Sequence, residues 1–172
     1  MNTPIIAVLG LGAMGLPMAT RLAEKFSVRG YDISAERLAL AEKAGIAATG
    51  SAREAASGAN VVLLAVRNRV QLDEALYGAA GVVEVLKPGA VIVLTSTVGI
   101  DAVREVAAQL TEAKLHLVDA PISGGPVRAG KGDLLVTVGA DDAAYAAALP
   151  VLEQLSSTLV RIGPQAGDGQ AM

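Results

Sequence analysis

Apolar residues fall along the chain in short runs, separated by longer stretches in which they recur at helical spacing. The runs are Ile5 to Leu9, Ser27 to Tyr31, Ile46 to Ala48, Val61 to Val66, Val91 to Leu94, Leu115 to Val118, Leu134 to Val138 and Thr158 to Ile162. Most are aliphatic throughout, the pattern of strands buried on both faces. The stretches Met14 to Lys25, Ala35 to Ala44, Ala52 to Ala56, Val70 to Tyr77, Asp101 to Thr111 and Ala143 to Leu155 predict helices. Several carry end signals. Ser34 ahead of Glu36 and Gly45 after Lys43 bracket one helix, Ser51 with Glu54 three residues on matches a capping box, and Asp141 and Asp142 put negative charge at an N-terminus. Alternating strands and helices predict a parallel sheet covered on both faces, so residues 1–163 are read as one doubly wound α/β domain.

Residues 163–172 differ in character. Gly163, Pro164, Gly167 and Gly169 make a loop, and Gln170-Ala171-Met172 reads as the first residues of a further helix. Three residues do not nucleate a helix, so this end reads as an unfinished one.

Composition narrows the function. Hydrophobic residues make up 52% of the chain but aromatics only 2%, and Cys is absent, so the core is aliphatic and neither a disulfide scaffold nor a thiolate metal site is available. One His and scattered carboxylates offer no ligand cluster, and no metal is expected. With a net charge of −3, one Phe and no Trp, the chain lacks the basic footprint and the stacking platform of nucleic-acid binders. The longest strongly apolar run, Val61 to Val66, is too short to cross a bilayer, and no basic stretch precedes Ile5 to Leu9. No membrane partner is expected, and a cytoplasmic location is the default.

The chemistry concentrates at one loop. Gly10-Leu11-Gly12-Ala13-Met14-Gly15 fits G-x-G-x-x-G, directly after one strand and at the opening of a helix that leads to a second. Gly10 would serve the tight turn, Gly12 the approach of backbone to a pyrophosphate, and Gly15 close packing of helix on strand, with the pyrophosphate on the helix N-terminus. Asp32 ends the second strand, seventeen residues after Gly15, near the spacing of a ribose partner. A carboxylate there accepts from both ribose hydroxyls and repels a 2′-phosphate, so NAD is expected over NADP, although Arg37 lies close enough in sequence to receive the extra phosphate. A glycine-rich turn without a ligand is the competing reading. The segments after strands four, five and six, Arg67-Asn68-Arg69, Thr95-Ser96-Thr97 and Asp119 to Gly125, are polar or Gly-rich, as a cleft wall would be.

Taken together, these motifs resemble the β-hydroxyacid dehydrogenase family, which includes 3-hydroxyisobutyrate dehydrogenase, tartronate semialdehyde reductase and threonate dehydrogenase. The matching pieces are Gly10 to Ala19, Thr95-Ser96-Thr97, Asp119-Ala120-Pro121-Ile122-Ser123-Gly124-Gly125, and Gly132-Asp133-Leu134 leading to Val138-Gly139. The resemblance implies a mostly parallel Rossmann sheet in which Gly10, Leu11, Gly12, Ala13, Met14, Gly15 and Asp32 hold NAD. Val66 and Arg67 would lie along the cofactor, and Ser96 near its nicotinamide ribose. Ser123, Gly124 and Gly125 would grip the carboxylate and hydroxyl of a small anionic hydroxy acid; the other reading of Ser123 is a loop cap. The chain departs from the family at Val66-Arg67, where many members have Leu-Pro, and at Arg128, where many have Gly. Arg128 is assigned to the substrate side, its alternative being a side chain pointing into water.

The resemblance also places the family's catalytic Lys on a long helix that begins after a segment like Gly167-Asp168-Gly169. That position would follow Met172, so the catalytic residue is expected outside the chain, and the chain alone is expected to be inactive. Residues 164–172 would begin the interdomain helix, followed by a helical domain that builds a homo-oligomer. Within the chain, His116, Lys131 and Lys87 are the candidate bases, and none is convincing: His116 sits in an apolar run, Lys131 between glycines, and Lys87 before Pro88 at a turn. The expected function is hydride transfer between NAD and a small β-hydroxy acid. The alternative is a non-catalytic module that binds or senses NAD.

Overall fold

The computed structural model describes residues 3–171. Residues 1 and 2 of the expected domain, and Met172 of the expected helix start, lie outside the described residues. In chain order the elements are β1 (Ile5–Leu9), α1 (Gly15–Leu22), β2 (Ser27–Tyr31), α2 (Ala35–Lys43), β3 (Ala47–Ala48), α3 (Ala52–Ala56), β4 (Val61–Leu64) and α4 (Arg69–Tyr77). After a 3₁₀ turn at Val83–Val85 come β5 (Val91–Leu94), α5 (Ile100–Glu112), β6 (His116–Asp119), β7 (Ile122–Ser123), α6 (Gly125–Gly130), β8 (Leu134–Gly139), α7 (Asp142–Leu155) and β9 (Ser156–Gly163). A second 3₁₀ turn, Asp168–Ala171, stands where a helix start is expected.

The strands form one sheet in which β3-β2-β1-β4-β5-β6 run parallel, and β1 lies between β2 and β4. This is the doubly wound order, with the chain reversing its direction of winding between β1 and β4. Parallel order follows from the helical crossovers, which return each strand to the same edge with the same hand. Beyond β6 the sheet turns back on itself: β8 runs antiparallel to β6 and β7, and β9 runs parallel to β8.

Alternate residues of β1, β4 and β5 enter opposite cores. Ile6, Val8, Val61, Leu63, Val91 and Val93 pack with Met18 and Leu22 of α1 and Val151, Leu152 and Leu155 of α7. Ala7, Leu9, Val62, Leu64, Ile92 and Leu94 face Leu72 and Leu76 of α4 and Val103, Val106 and Leu110 of α5. Both faces are covered, which is why these strands carry no polar alternation; each buried Leu, Ile or Val contributes about 1.5–3 kcal/mol. The caps hold as read. Ser34 accepts from the Arg37 N–H, Ser51 from Glu54 and Asp141 from Ala144, and the Glu54 carboxylate reaches back to the Gly50 N–H at 3.0 Å.

Other expectations change as well, besides the helix start at the chain's end. The fourth strand stops at Leu64, short of Val66. The first helix ends at Leu22, with Lys25 in the following turn. Between Pro121 and Leu134, where only loop is expected, β7 and α6 form. Pro126 sits in the first turn of α6, where its missing N–H costs nothing, and Ala129 is fully buried, so tertiary packing holds a glycine-rich segment that propensity alone would leave open.

Candidate functional site

The carboxyl ends of β1, β2, β4, β5 and β6 open onto one edge of the sheet, and the cofactor candidates Gly10 to Gly15, Asp32, Val66, Arg67 and Ser96 follow those ends. Gly10 leaves β1 with φ of 102°, its N–H donating 2.9 Å to the Tyr31 carbonyl. A Cβ at Gly10 would stand 2.6 Å from the Ala65 carbonyl oxygen, and one at Gly15 would overlap the Gly10 carbonyl oxygen. Both glycines are therefore demanded by the fold itself. Gly12 differs: nothing lies within 4 Å of a Cβ built there, and its φ is not left-handed. Helix α1 starts beside it with no side-chain cap at Met14. Leu16 in the first turn donates to the Gly12 carbonyl at 3.1 Å and Pro17 carries no N–H, so the amides that lack a helical partner at this end are those of the loop up to Gly15, beside the open space over Gly12. Those donors, the dipole of α1 and that clearance fit a pyrophosphate.

Asp32 closes the other side of this loop. One carboxylate oxygen accepts from the Leu11 N–H at 2.7 Å and the other from the Ser34 N–H at 2.9 Å. The acid thus fixes the glycine loop against the end of β2 and remains half-buried beside it. Ile33 next to it is 93% exposed, an apolar face left in water at the rim.

At the ends of β4 and β5, Val66 and Ser96 are brought together. The Ser96 hydroxyl accepts from the Val66 N–H at 3.0 Å and donates to the Val66 carbonyl. This pairing takes Val66 out of the β4 ladder and accounts for the strand's early end. Beneath it, the buried Thr95 hydroxyl donates to the Leu64 carbonyl at 2.9 Å. Arg67 is exposed; its N–H donates to the Gln71 amide oxygen at 2.8 Å, and its side chain extends from the rim.

Beyond β6, Ser123 is exposed on β7, followed by Gly124 (φ 138°) and Gly125 (φ 80°). The cap position of α6 is Gly124 and carries no side-chain cap, so the Ser123 hydroxyl does not serve as one. Arg128 projects from α6 and donates to Asp133 at 3.1 Å. The Ser157 hydroxyl and then the Arg128 guanidinium hold the Asp133 carboxyl below the usual carboxylate range. A substrate carboxylate would have to compete with Asp133 for this guanidinium.

The candidate bases do not gather at the site. His116 opens β6 and Lys87 precedes β5, so both lie at the amino ends of their strands, away from the glycine loop. Lys131 is exposed in the turn after α6. One buried residue of the quoted motif carries a role that sequence reading misses. Asp119, with no exposed surface, ends β6 and accepts from the N–H groups of Gly167 (3.0 Å) and Gln170 (3.1 Å) and from the Gln170 side-chain amide (2.7 Å). Burial raises its carboxyl above the usual range, against the pull of these donors and of the Gly169 N–H. The available signal is an acid ending the apolar run Leu117-Val118: a buried charge needs partners, and these lie 48 and 51 residues away.

A doubly wound sheet bearing this glycine loop at its switch point, with a carboxylate at the end of the second strand, is a dinucleotide-binding domain of the Rossmann type. Residues 5–163 match the family described as the NAD binding domain of 6-phosphogluconate dehydrogenase, and the chain belongs to that family. It is similar to an uncharacterized oxidoreductase of Synechocystis sp., at 38% identity over 175 residues, covering 100% of this chain and 60% of the relative. It is also similar to L-threonate dehydrogenase of Escherichia coli strain K12, at 33% identity, covering 97% of this chain and 56% of that one. Among solved structures, 3-hydroxyisobutyrate dehydrogenase of Mycobacterium tuberculosis with L-serine superposes with a TM-score of 0.92 at 33% identity, covering 99% of this chain and 57% of that protein. The chain therefore spans less than two thirds of the length of these relatives. Among the described residues no helix is long and apolar enough to cross a membrane.

Proposed function

We propose that this chain is the cofactor-binding portion of an NAD-dependent dehydrogenase acting on a small β-hydroxy acid. The observation that carries the reading is Gly12. It is the middle glycine of the fingerprint and has neither a strained φ nor a neighbour to explain it, and it faces the uncapped start of α1. Gly10, Leu11, Gly12, Ala13, Met14 and Gly15 would cradle the pyrophosphate, and Asp32 would take the adenosine ribose hydroxyls. That choice favours NAD over NADP, because a 2′-phosphate would sit against a carboxylate already held in place by Leu11 and Ser34. Val66, Arg67 and Ser96 would line the nicotinamide half.

Bound NAD supplies the hydride acceptor. The chain's own residues would bind and orient the substrate: the Ser123 hydroxyl and the backbone N–H groups of Gly124 and Gly125 donate to carboxylate and hydroxyl oxygens without bulk, with Arg128 at the rim. Oxidation also needs a group to take the hydroxyl proton; His116 and Lys87 lie at the amino ends of their strands, and Lys131 is an exposed side chain in the turn after α6. On this reading residues 3–171 bind cofactor and substrate without turnover. Residues 164–172 lead into the interdomain helix, and proton transfer belongs to the helical domain of a longer homo-oligomeric enzyme. The names of the L-threonate and 3-hydroxyisobutyrate dehydrogenases support the substrate class.

The test is a titration of 3-hydroxyisobutyrate, L-threonate and glycerate into the NAD-saturated chain, wild type and Ser123→Ala. Saturable binding of at least one acid, weakened about tenfold by the substitution, is the expected result. Acids that bind equally well to both proteins, or to neither, would remove the substrate assignment.

A further inference from the structure

The side chain of Gln170 has all of its hydrogen-bonding capacity in use. Its NH₂ group donates to Asp119 at 2.7 Å and to the Ser96 carbonyl at 3.1 Å, and its oxygen accepts from the N–H groups of Val98 (2.9 Å) and Gly99 (3.0 Å). The orientation of the amide follows from these partners: two acceptors face its nitrogen and two donors its oxygen, so a flipped amide would meet four repulsions. One residue thereby ties the buried end of β6 to the loop leaving β5. The tie continues, because Ser96, whose carbonyl Gln170 holds, clamps both backbone groups of Val66 through its hydroxyl.

The surroundings leave this latch little freedom. A Cβ at Gly169 would stand 2.9 Å from the Asp119 carbonyl oxygen, and one at Gly139 2.7 Å from the Gly169 nitrogen. The Gly169 carbonyl accepts from the buried Thr137 hydroxyl at 3.1 Å. The turn carrying Gln170 is thus seated on the sheet edge by backbone contact, and its side chain reads the positions of two strand ends at once.

We infer that Gln170 is a positioning residue of the nicotinamide half of the cofactor site, acting through Ser96 to set the Val66 peptide. The inference rests on the cofactor assignment above. In a doubly wound sheet the first mononucleotide unit takes the adenosine end of the ligand and the second unit, here the ends of β4 and β5, takes the other half. Gln170 touches the second unit alone, and Asp32 and the glycine loop are anchored independently of it.

NADH and ADP-ribose, which lacks the nicotinamide, separate the two halves. Calorimetric titration of both ligands into the wild-type chain and the Gln170→Met variant should show NADH weakened about tenfold and ADP-ribose within about twofold of wild type. Retained ADP-ribose binding also reports an intact fold. Should Gln170→Met fail to fold, Ser96→Ala removes the hydroxyl clamp on Val66 while leaving the tie between Gln170 and Asp119 in place, and should show the same selective loss. Equal weakening of both ligands in a folded variant, or no weakening of NADH, would overturn the inference while leaving the cofactor reading standing. A wild-type chain that binds neither ligand would instead remove the cofactor reading, and the inference with it.

Discussion

The two ends of the sheet edge are built by different means. Around β1, α1 and β2 the site is made of backbone: glycines chosen for clearance or for φ, helix amides, and one acid that holds the loop through two N–H groups. Around β5, β6 and the final 3₁₀ turn it is made of polar side chains, the buried Asp119 and Thr137 and the half-buried Gln170 and Ser96, whose partners lie between 30 and 74 residues apart. The first region stands on steric exclusion, some of it local, as between Gly15 and Gly10, and some across the sheet, as between Gly10 and Ala65. The second is long-range and stands on hydrogen bonds that lose their worth if one partner is missing.

Substitutions can break this contrast, and the largest effect belongs to the glycine with no room. Gly15→Val would drive its side chain into the Gly10 carbonyl. A loss above about 4 kcal/mol is expected, seen as failure to accumulate folded protein or to melt cooperatively. Next comes Asp119→Leu, which leaves the Gly167 and Gln170 N–H groups without their acceptor. About 3 kcal/mol of stability should go, which for a chain of this size is a fall in Tm on the order of 10 °C by calorimetry. Both predictions concern folding, by opposite routes.

Gly12→Ala sharpens the distinction between glycines of the fold and glycines of the ligand. Its Cβ meets nothing in the protein, so the melting curve should shift by no more than about 0.5 kcal/mol, while NADH affinity falls tenfold or more because the methyl occupies the pyrophosphate's approach. A normal affinity would show that the open space over Gly12 is not the phosphate site.

The smallest effect concerns pH. Asp133 has its carboxyl held down by Ser157 and Arg128. A depressed carboxyl contributes stability above its ordinary range, and that contribution is lost as pH falls through the folded-state value. The Tm difference between wild type and Asp133→Asn should therefore be widest near neutrality and close as pH drops below the ordinary carboxylate range. A gap that persists at acid pH would assign the effect to packing instead of charge.

The same contrast explains what the sequence made legible. Hydrophobic periodicity and helix caps act within a few residues. The bounds of Ile5–Leu9, Ser27–Tyr31 and Val91–Leu94 read off directly, as did the caps at Ser34, Ser51 and Asp141. Val61 to Val66 reads two residues too long because hydropathy does not register that Ser96, 30 residues on, removes Val66 from the ladder. Helix α6 is hidden because Gly125, Pro126 and Gly130 carry loop propensity, and only its packing against the rest of the fold makes it a helix. Asp119 and Gln170 were both visible as letters, but no local rule joins them. Their partnership exists only once β6 and the chain's end meet at one edge.

The glycine loop and Asp32 together make the proposed NAD site. Paired calorimetric titrations of NADH and NADPH into the wild-type chain address it most directly. Saturable binding of NADH is expected, at least about tenfold tighter than NADPH because the Asp32 carboxylate repels the 2′-phosphate. Equal affinity for the two, or tighter binding of NADPH, would contradict the role given to Asp32, and binding of neither would contradict the site itself.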